Sequence, residues 1–188
     1  MKEKEELVSI AIHQHGYFTA SQAEAAGYSQ KNHHYHVKNG DWIREARGLY
    51  RMAAVPLTDY SHYWQINLQF RNLNDEPQPV FSGATALQIY ELSDVNPATV
   101  HIYLPKKFRT QKQVPKSVEI EKSDINERDF QLIEGLKVTT PIKTVLDLAQ
   151  DESFPEEHLE QAVKGGLKKG YFLKSEIKAS NVLARYAL

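Results

Sequence analysis

The punctuation between Glu5 and Met52 constrains the fold more than any other feature of the chain. Leu7, Val8, Ala11 and Ile12 recur at helical spacing, which predicts a helix from Glu5 to His15 with one apolar face. Gly16 ends it. Thr19, with Gln22 three residues on, makes a capping-box pattern: the hydroxyl accepts from an orphan helix amide and the glutamine reaches back to the cap amide. The short helix begun there, Ala20 to Ala26, stops at Gly27, because glycine takes the left-handed closing conformation at least cost. Ser29 is placed to cap a third helix that runs to Asn39 and closes at Gly40. Two strand-like runs between Trp42 and Met52 then flank Arg47-Gly48, with glycine where a tight hairpin turn needs one. Three helices followed by a hairpin is the plan of a winged helix-turn-helix.

Beyond Met52 the pattern changes. Ala53 to Leu57, with Pro56, reads as a linker, which divides the chain into a winged helix-turn-helix DNA-binding domain over residues 1–55 and a second domain over 56–188. In the second part, helices are predicted for Tyr60 to Asn72 and for Ser82 to Leu92, the latter with Ala84, Leu87 and Leu92 inward. Asn74 to Pro79 is a loop. Strands are predicted for Thr99 to Leu104 and Val118 to Glu121, and a hairpin for Phe130 to Thr139 turning at Glu134-Gly135. Thr140-Pro141 starts a helix through Val145, Leu146 and Leu148, since proline suits the first helical position. A further helix spans Glu156 to Leu167 and ends by Gly170, and the tail from Lys174 is helical. The expected fold class is α+β: an N-terminal winged helix-turn-helix, then a mixed α+β domain with a small, mostly antiparallel sheet.

Composition narrows the function. Hydrophobic residues at 41% and charged residues at 25% are the proportions of a globular protein with a buried core. Apolar runs are only a few residues long, too short to cross a membrane. No apolar signal-peptide core follows the charged Met1-Lys-Glu-Lys-Glu-Glu. The absence of cysteine excludes disulfides, thiolate zinc sites and a cysteine nucleophile. A cytoplasmic protein with no membrane partner is expected. Net charge is −1, which by itself argues against nucleic acid, but distribution outweighs the sum. Between Tyr28 and Arg51, five basic residues (Lys31, Lys38, Arg44, Arg47, Arg51) stand against Asp41 and Glu45, before His33, His34 or His36 is protonated.

In a helix-turn-helix the third helix enters the major groove. With Tyr28, His33 and Val37 facing the core, Gln30, Lys31, His34, Tyr35 and Lys38 point outward. Glutamine pairs with adenine and lysine with guanine. Arg47 sits at the wing tip, flanked by Arg44 and Arg51, where an arginine grips phosphate or enters the minor groove. The competing use of the same surface is protein contact, in an interaction module whose winged helix does not bind DNA. A metal at His33, His34 and His36 lacks a supporting carboxylate or cysteine, and a zinc site needs three or four ligands. No metal and no cofactor is expected.

Catalytic motifs are wanting. Gly165-Gly-Leu-Lys-Lys-Gly170 lacks phosphate-loop spacing and reads as a helix terminus. There is no Gly-x-Ser-x-Gly elbow and no Asp-x-Asp pair for two-metal chemistry. Val118-Glu-Ile-Glu-Lys122 lacks the Glu-x-Lys spacing of many metal nucleases, so a divergent metal-dependent nuclease remains the remote enzymatic alternative. No catalytic residue is assigned. One basic run stands apart: Lys106, Lys107, Arg109, Lys112 and Lys116 lie together without an acid. It is either a solvated loop or a second contact surface, for DNA backbone or an acidic partner.

Gly16-Tyr-Phe-Thr-Ala-Ser-Gln-Ala, Gly27-Tyr-Ser and Gly40-Asp-Trp-Ile-Arg-Glu-Ala-Arg-Gly-Leu-Tyr-Arg resemble the winged helix of AbiEi-type antitoxins. Phe81-Ser-Gly-Ala-Thr-Ala-Leu and Val138-Thr-Thr-Pro-Ile-Lys-Thr-Val-Leu-Asp-Leu are similar to stretches of that family's carboxy-terminal domain. The resemblance implies a transcriptional regulator that binds double-stranded DNA at its own promoter; pairing of two copies on inverted repeats is a further expectation, with the oligomeric state left open. It also implies a second domain that counteracts a nucleotidyltransferase toxin without a stable complex. It places DNA contact on the third helix and Arg47, and no catalysis anywhere. The third helix departs from the family in carrying histidines where arginines are usual.

Overall fold

The computed structural model describes residues 2–110 and 113–186. Lys112, part of the basic run, lies outside the described residues. The chain divides into two compact units, Met1–Gln78 and Pro79–Leu188, each with its own sheet.

In the first unit, α1 (Lys2–His13), α2 (Ala20–Ala25) and α3 (His33–Lys38) pack on a small antiparallel sheet. Its order is β1 (Tyr17–Thr19), β3 (Leu49–Met52), β2 (Trp42–Ala46). The capping box forms: Gln22 N–H donates to Thr19 Oγ1 at 3.1 Å, and Thr19 N–H donates to Gln22 Oε1 at 2.9 Å. Gln22 also exchanges amide hydrogen bonds with the buried Gln14, which ties the end of α1 to the start of α2. Three details differ from the sequence reading. Ser29 makes no capping bond; a 3-10 turn over Gln30–Asn32 precedes a shorter third helix. Leu7 and Ala11 are fully buried on α1, but Ile12 is 57% exposed, its place on the inward face taken by Gln14. The strand β1 has no alternation to announce it, since all three of its residues are buried, and pairing with β3 is what makes it a strand.

The first unit also runs past the break expected at residue 55. A fourth helix, α4 (Ser61–Gln69), packs on β1 and β3. Ser61 Oγ donates to His15 O at 2.9 Å, and His15 Nδ1 lies 2.7 Å from Thr58 Oγ1. Val55, in the intervening turn, packs on the core of the winged helix. Tyr63, Trp64, Ile66, Leu68 and Phe70 are buried, so the helix is an integral part of the unit.

The second unit is built on a mixed sheet of order β6 (Val118–Lys122), β5 (Val100–Leu104), β4 (Val80–Phe81), β8 (Leu136–Thr139), β7 (Phe130–Ile133). The β4–β5 and β7–β8 pairings are antiparallel; β5–β6 and β4–β8 are parallel. The sheet is therefore less antiparallel than expected. Two arrangements account for this: β5 and β6, successive in the chain, run parallel, and β4, a two-residue strand too short to read in advance, enters between β5 and β8 parallel to β8. The helices α5 (Gly83–Tyr90), α6 (Pro141–Leu148) and α7 (Glu156–Lys169) pack in succession, and α8 (Lys174–Ala179) follows. Ala84, Leu87 and Leu92 are buried, as their spacing requires. Thr140 caps α6 with Pro141 in the first turn.

Gly165 and Gly166 lie inside α7 and are not its terminus, which is Gly170. A Cβ on Gly166 would stand 2.2 Å from the Phe172 ring, and one on Gly165 would stand 2.8 Å from Leu92 O. The pair is a packing device that lets a ring and a backbone carbonyl approach the helix.

Two outcomes are expected. Gly166→Ala should lower the stability of the protein by about 1–3 kcal/mol, the usual cost of overpacking, measured by urea denaturation. A fragment ending at Gln78 should unfold in one cooperative transition, whereas one ending at Pro56, stripped of the buried side chains of α4, should lose about 3–5 kcal/mol or fail to fold.

Candidate nucleic-acid interface

Trp42, 3% exposed, is the hub on which the third helix rests. Its ring lies 4.9 Å from Phe18, 5.2 Å from Tyr28 and from His33, 4.6 Å from His36 and 5.5 Å from Tyr50, centroid to centroid. His33, His36 and Val37 stand one turn apart and form the inward face of α3. His33 is buried, and its Nε2–H donates to Tyr28 O at 3.0 Å. His36 stacks on Trp42 and has its Nδ1 3.6 Å from Asp41. The histidines thus divide between core and surface. Among the described residues no group of three or more His, Asp or Glu side chains is arranged to hold a metal ion.

With that face spent on the core, the other is left outward. Gln30, Lys31, His34, Tyr35 and Lys38 are all exposed, Tyr35 by 56% in spite of its ring. These five outward side chains, two on the 3-10 turn and three on α3, give a surface of donors, one acceptor-donor amide and two rings.

The wing is the β2–β3 hairpin. Trp42 pairs with Met52, Ile43 with Arg51 and Arg44 with Tyr50, after which a bulge at Glu45 shifts the register so that Ala46 faces Leu49. A bulge increases local twist and re-aims the side chains beyond it. The two-residue turn Arg47-Gly48 follows, with Gly48 at φ +70, a conformation that side-chain-bearing residues seldom adopt. Arg44 and Arg47 are exposed. Arg51 is placed differently: it lies on the central strand, its stem against Gly16, and its Nε bonds Glu45 Oε1 at 3.0 Å. Its guanidinium is engaged within the wing. Sequence reasoning left Arg71 unassigned, yet its Nη2 reaches Gly48 O at 3.4 Å. No periodicity or motif marks it, because its role arises from a tertiary approach.

In the second unit, Lys106, Lys107, Arg109 and Lys116 are exposed. Arg109 turns back to donate to Lys106 O at 2.9 Å, and Lys106 N–H donates to Asp124 at 3.0 Å, so the loop is internally braced. Lys122 donates to Phe108 O at 3.0 Å and lies over the Phe108 ring. Its ammonium is held below the usual lysine range by burial and then by the Arg109 charge.

A cleft of about 500 Å³ in the same unit is lined by His101, Glu119, Glu121, Asp147 and Asp151 among others. Two of its acids are engaged within the fold. Asp147 accepts from Tyr103 Oη at 3.1 Å and pairs with Lys143. Burial, then the Asp147 and Glu121 charges, push the Tyr103 phenol upward. Asp151 caps its own turn through Ser153, which holds its carboxyl below the usual range. On the cleft wall His101 Nδ1 also stands 3.8 Å from Glu119 Oε2.

The first unit is thus a winged helix-turn-helix that turns a polar and basic helix and wing outward, the class of domain found in transcriptional regulators. Residues 5–53 match the model of a family described as a transcriptional regulator, AbiEi antitoxin. No curated protein matches the chain. Among solved structures, the RV2827C protein from Mycobacterium tuberculosis is similar across both units. The TM-score is 0.57 at 14% identity, covering 100% of this chain and 75% of that one, which is a likeness of fold.

Loss of the hub should separate folding from recognition. Trp42→Ala should cost about 3–5 kcal/mol of stability, while Arg47→Ala, at an exposed turn, should stay within about 0.5 kcal/mol of the parent. Denaturant melts of the two variants check this.

Proposed function

We propose that the chain is a DNA-binding transcriptional repressor of the AbiEi antitoxin type, acting in the cytoplasm by occupying its own promoter. In this reading α3 and the turn before it enter the major groove, with Gln30 reading adenine and Lys31 reading guanine. His34, Tyr35 and Lys38 flank them. Arg44 and Arg47 of the wing hold phosphate or the minor groove. Two copies bind paired half-sites on an inverted repeat. The second unit counteracts a nucleotidyltransferase toxin without forming a stable complex, and Lys106, Lys107 and Arg109 form a second contact surface.

One observation carries the reading. The segment that matches a transcriptional-regulator family is the one in which a single aromatic core fixes both helix and wing, with the polar faces of both exposed. A winged helix used only as a structural module has no need of two arginines and two lysines turned to solvent on these elements.

Full-length protein should bind a duplex carrying its promoter with an affinity that falls steeply with salt, because each neutralised phosphate releases counterions. Arg47→Ala should weaken binding to every duplex and flatten the log–log salt slope by about one. Lys31→Ala should cost about 1–3 kcal/mol at the cognate site and relax sequence preference there. Equal affinity of parent and Arg47→Ala across the salt series contradicts the wing assignment. For the second unit, reversing charge at Lys106, Lys107 and Arg109 should abolish rescue of growth from a co-expressed toxin and leave promoter affinity intact if that loop faces the toxin. The opposite pattern assigns it to DNA.

A further inference from the structure

The loop after α4 makes a hairpin-like closure that nothing in the winged-helix pattern calls for. Asn72 Oδ1 accepts from Asn74 N–H at 2.9 Å and Glu76 N–H at 3.0 Å, and Gln78 N–H donates to Phe70 O at 2.9 Å. Arg71 forms an isolated bridge with Pro77 across the loop. This closure sets Arg71 beside Asp75, whose backbone takes the left-handed φ of +64. Aspartate and asparagine tolerate that region better than other side chains. The Arg71 side chain is 9% exposed, and its Nε stands 2.5 Å from Asp75 Oδ1 as an ion pair.

Each end of that pair grips a different part of the winged helix. On one side, Arg71 donates to Leu68 O and extends Nη2 to Gly48 O, 3.4 Å away, at the wing turn. Gly48 O also accepts from Ala20 N–H at 3.0 Å. On the other side, Asp75 Oδ2 accepts from Thr19 Oγ1 at 2.7 Å. The same hydroxyl accepts from Gln22 N–H and so caps α2. A chain of contacts therefore runs from the cap of the first helix of the helix-turn-helix, through Asp75 and Arg71, to the carbonyl next to Arg47. Arg71 and Asp75 lie outside residues 5–53, the segment matched by the family.

A buried guanidinium is costly unless neutralised and bonded; here Asp75 neutralises it and Nη1 and Nη2 donate to backbone carbonyls, while Nε faces Asp75 as an ion pair without a hydrogen bond. What the arrangement achieves is to hold a two-residue turn that a free hairpin would leave mobile. We infer that Arg71, held by Asp75, is a positioning residue for the wing: it fixes the Arg47-Gly48 turn against α2 so that Arg47 meets DNA already ordered. The inference rests on the DNA-binding reading above. A side chain ordered in advance spares the complex the ordering cost of binding. That cost is about 0.5–1.5 kcal/mol for a long side chain, or about two- to tenfold in affinity.

The test uses the full chain with Arg71→Ala and Asp75→Asn, each alone and combined with Arg47→Ala. Asparagine suits the left-handed position of Asp75, so the second variant removes the charge without backbone strain. In the DNA-free protein, exchange of the Ala20 amide should quicken in both variants while that of Tyr28, which donates to Ala23 O at 2.9 Å, stays as in the parent. Affinity for the promoter duplex should fall about two- to tenfold in either variant. In the Arg47→Ala background neither should cost anything more. Unchanged Ala20 exchange overturns the clamp itself, whatever happens with DNA. An equal loss in both backgrounds overturns the positioning role, since Arg71 would then act through general stability. Faster Ala20 exchange with unchanged affinity does the same. A parent protein that binds no duplex contradicts the DNA-binding reading and removes the role with it, while the exchange data still report on the clamp.

Discussion

The six residues of α3 are too few to form a helix unaided, because a short helix does not recover the cost of its own nucleation. What holds it is the ring of Trp42, with His36 stacked at 4.6 Å and His33 edge-on at 5.2 Å. Trp42 opens β2, so the residue that anchors the helix also starts the wing. Phe18 of β1 and Tyr50 of β3 close the cluster. Each of these aromatic contacts adds a directional preference to its area of burial. Side-chain packing thereby sets how α3 lies against the strand that opens the wing.

That economy bears on charge. With histidines and aromatics supplying the inward face, the lysines and arginines of this segment are free to point outward, apart from Arg51, which Glu45 neutralises. A protein of net charge −1 can therefore present a locally basic surface, with most of its acids on other elements. The field that steers a polyanion depends on that distribution, screened beyond about 8 Å at physiological ionic strength, and much less on the total.

The winged helix was largely legible, and the reasons are local. A capping box, a turn glycine and strand-like runs around Arg47-Gly48 act over a few residues and appear in the structure where the chain places them. What could not be read was tertiary. β1 and β4 are too short for a period and exist because a partner strand pairs with them. Ile12 has the spacing of a core residue, but the polar Gln14 takes the inward place because Gln22 and Tyr17 O satisfy its amide. The expected break at residue 55 follows Pro56 faithfully; only the burial of Trp64 and Phe70 against the first unit shows the chain continuing to Gln78. The outward residues of α3 followed from assuming His33 and Val37 inward. Charge alone places Arg51 with the wing arginines, whereas its pairing with Glu45 depends on the fold. Gly165-Gly166 was legible as unusual but not as a packing device, since Phe172 and Leu92 reach it through the fold.

The central claim is that helix and wing form one surface that meets duplex DNA. Amide chemical shifts of the full-length protein, titrated with a duplex carrying its promoter, test it most directly. The account predicts the largest changes along Gln30 to Lys38 and Arg44 to Gly48, appearing together at the same duplex concentrations. Changes concentrated between Lys106 and Lys116, with α3 and the wing unmoved, would contradict it.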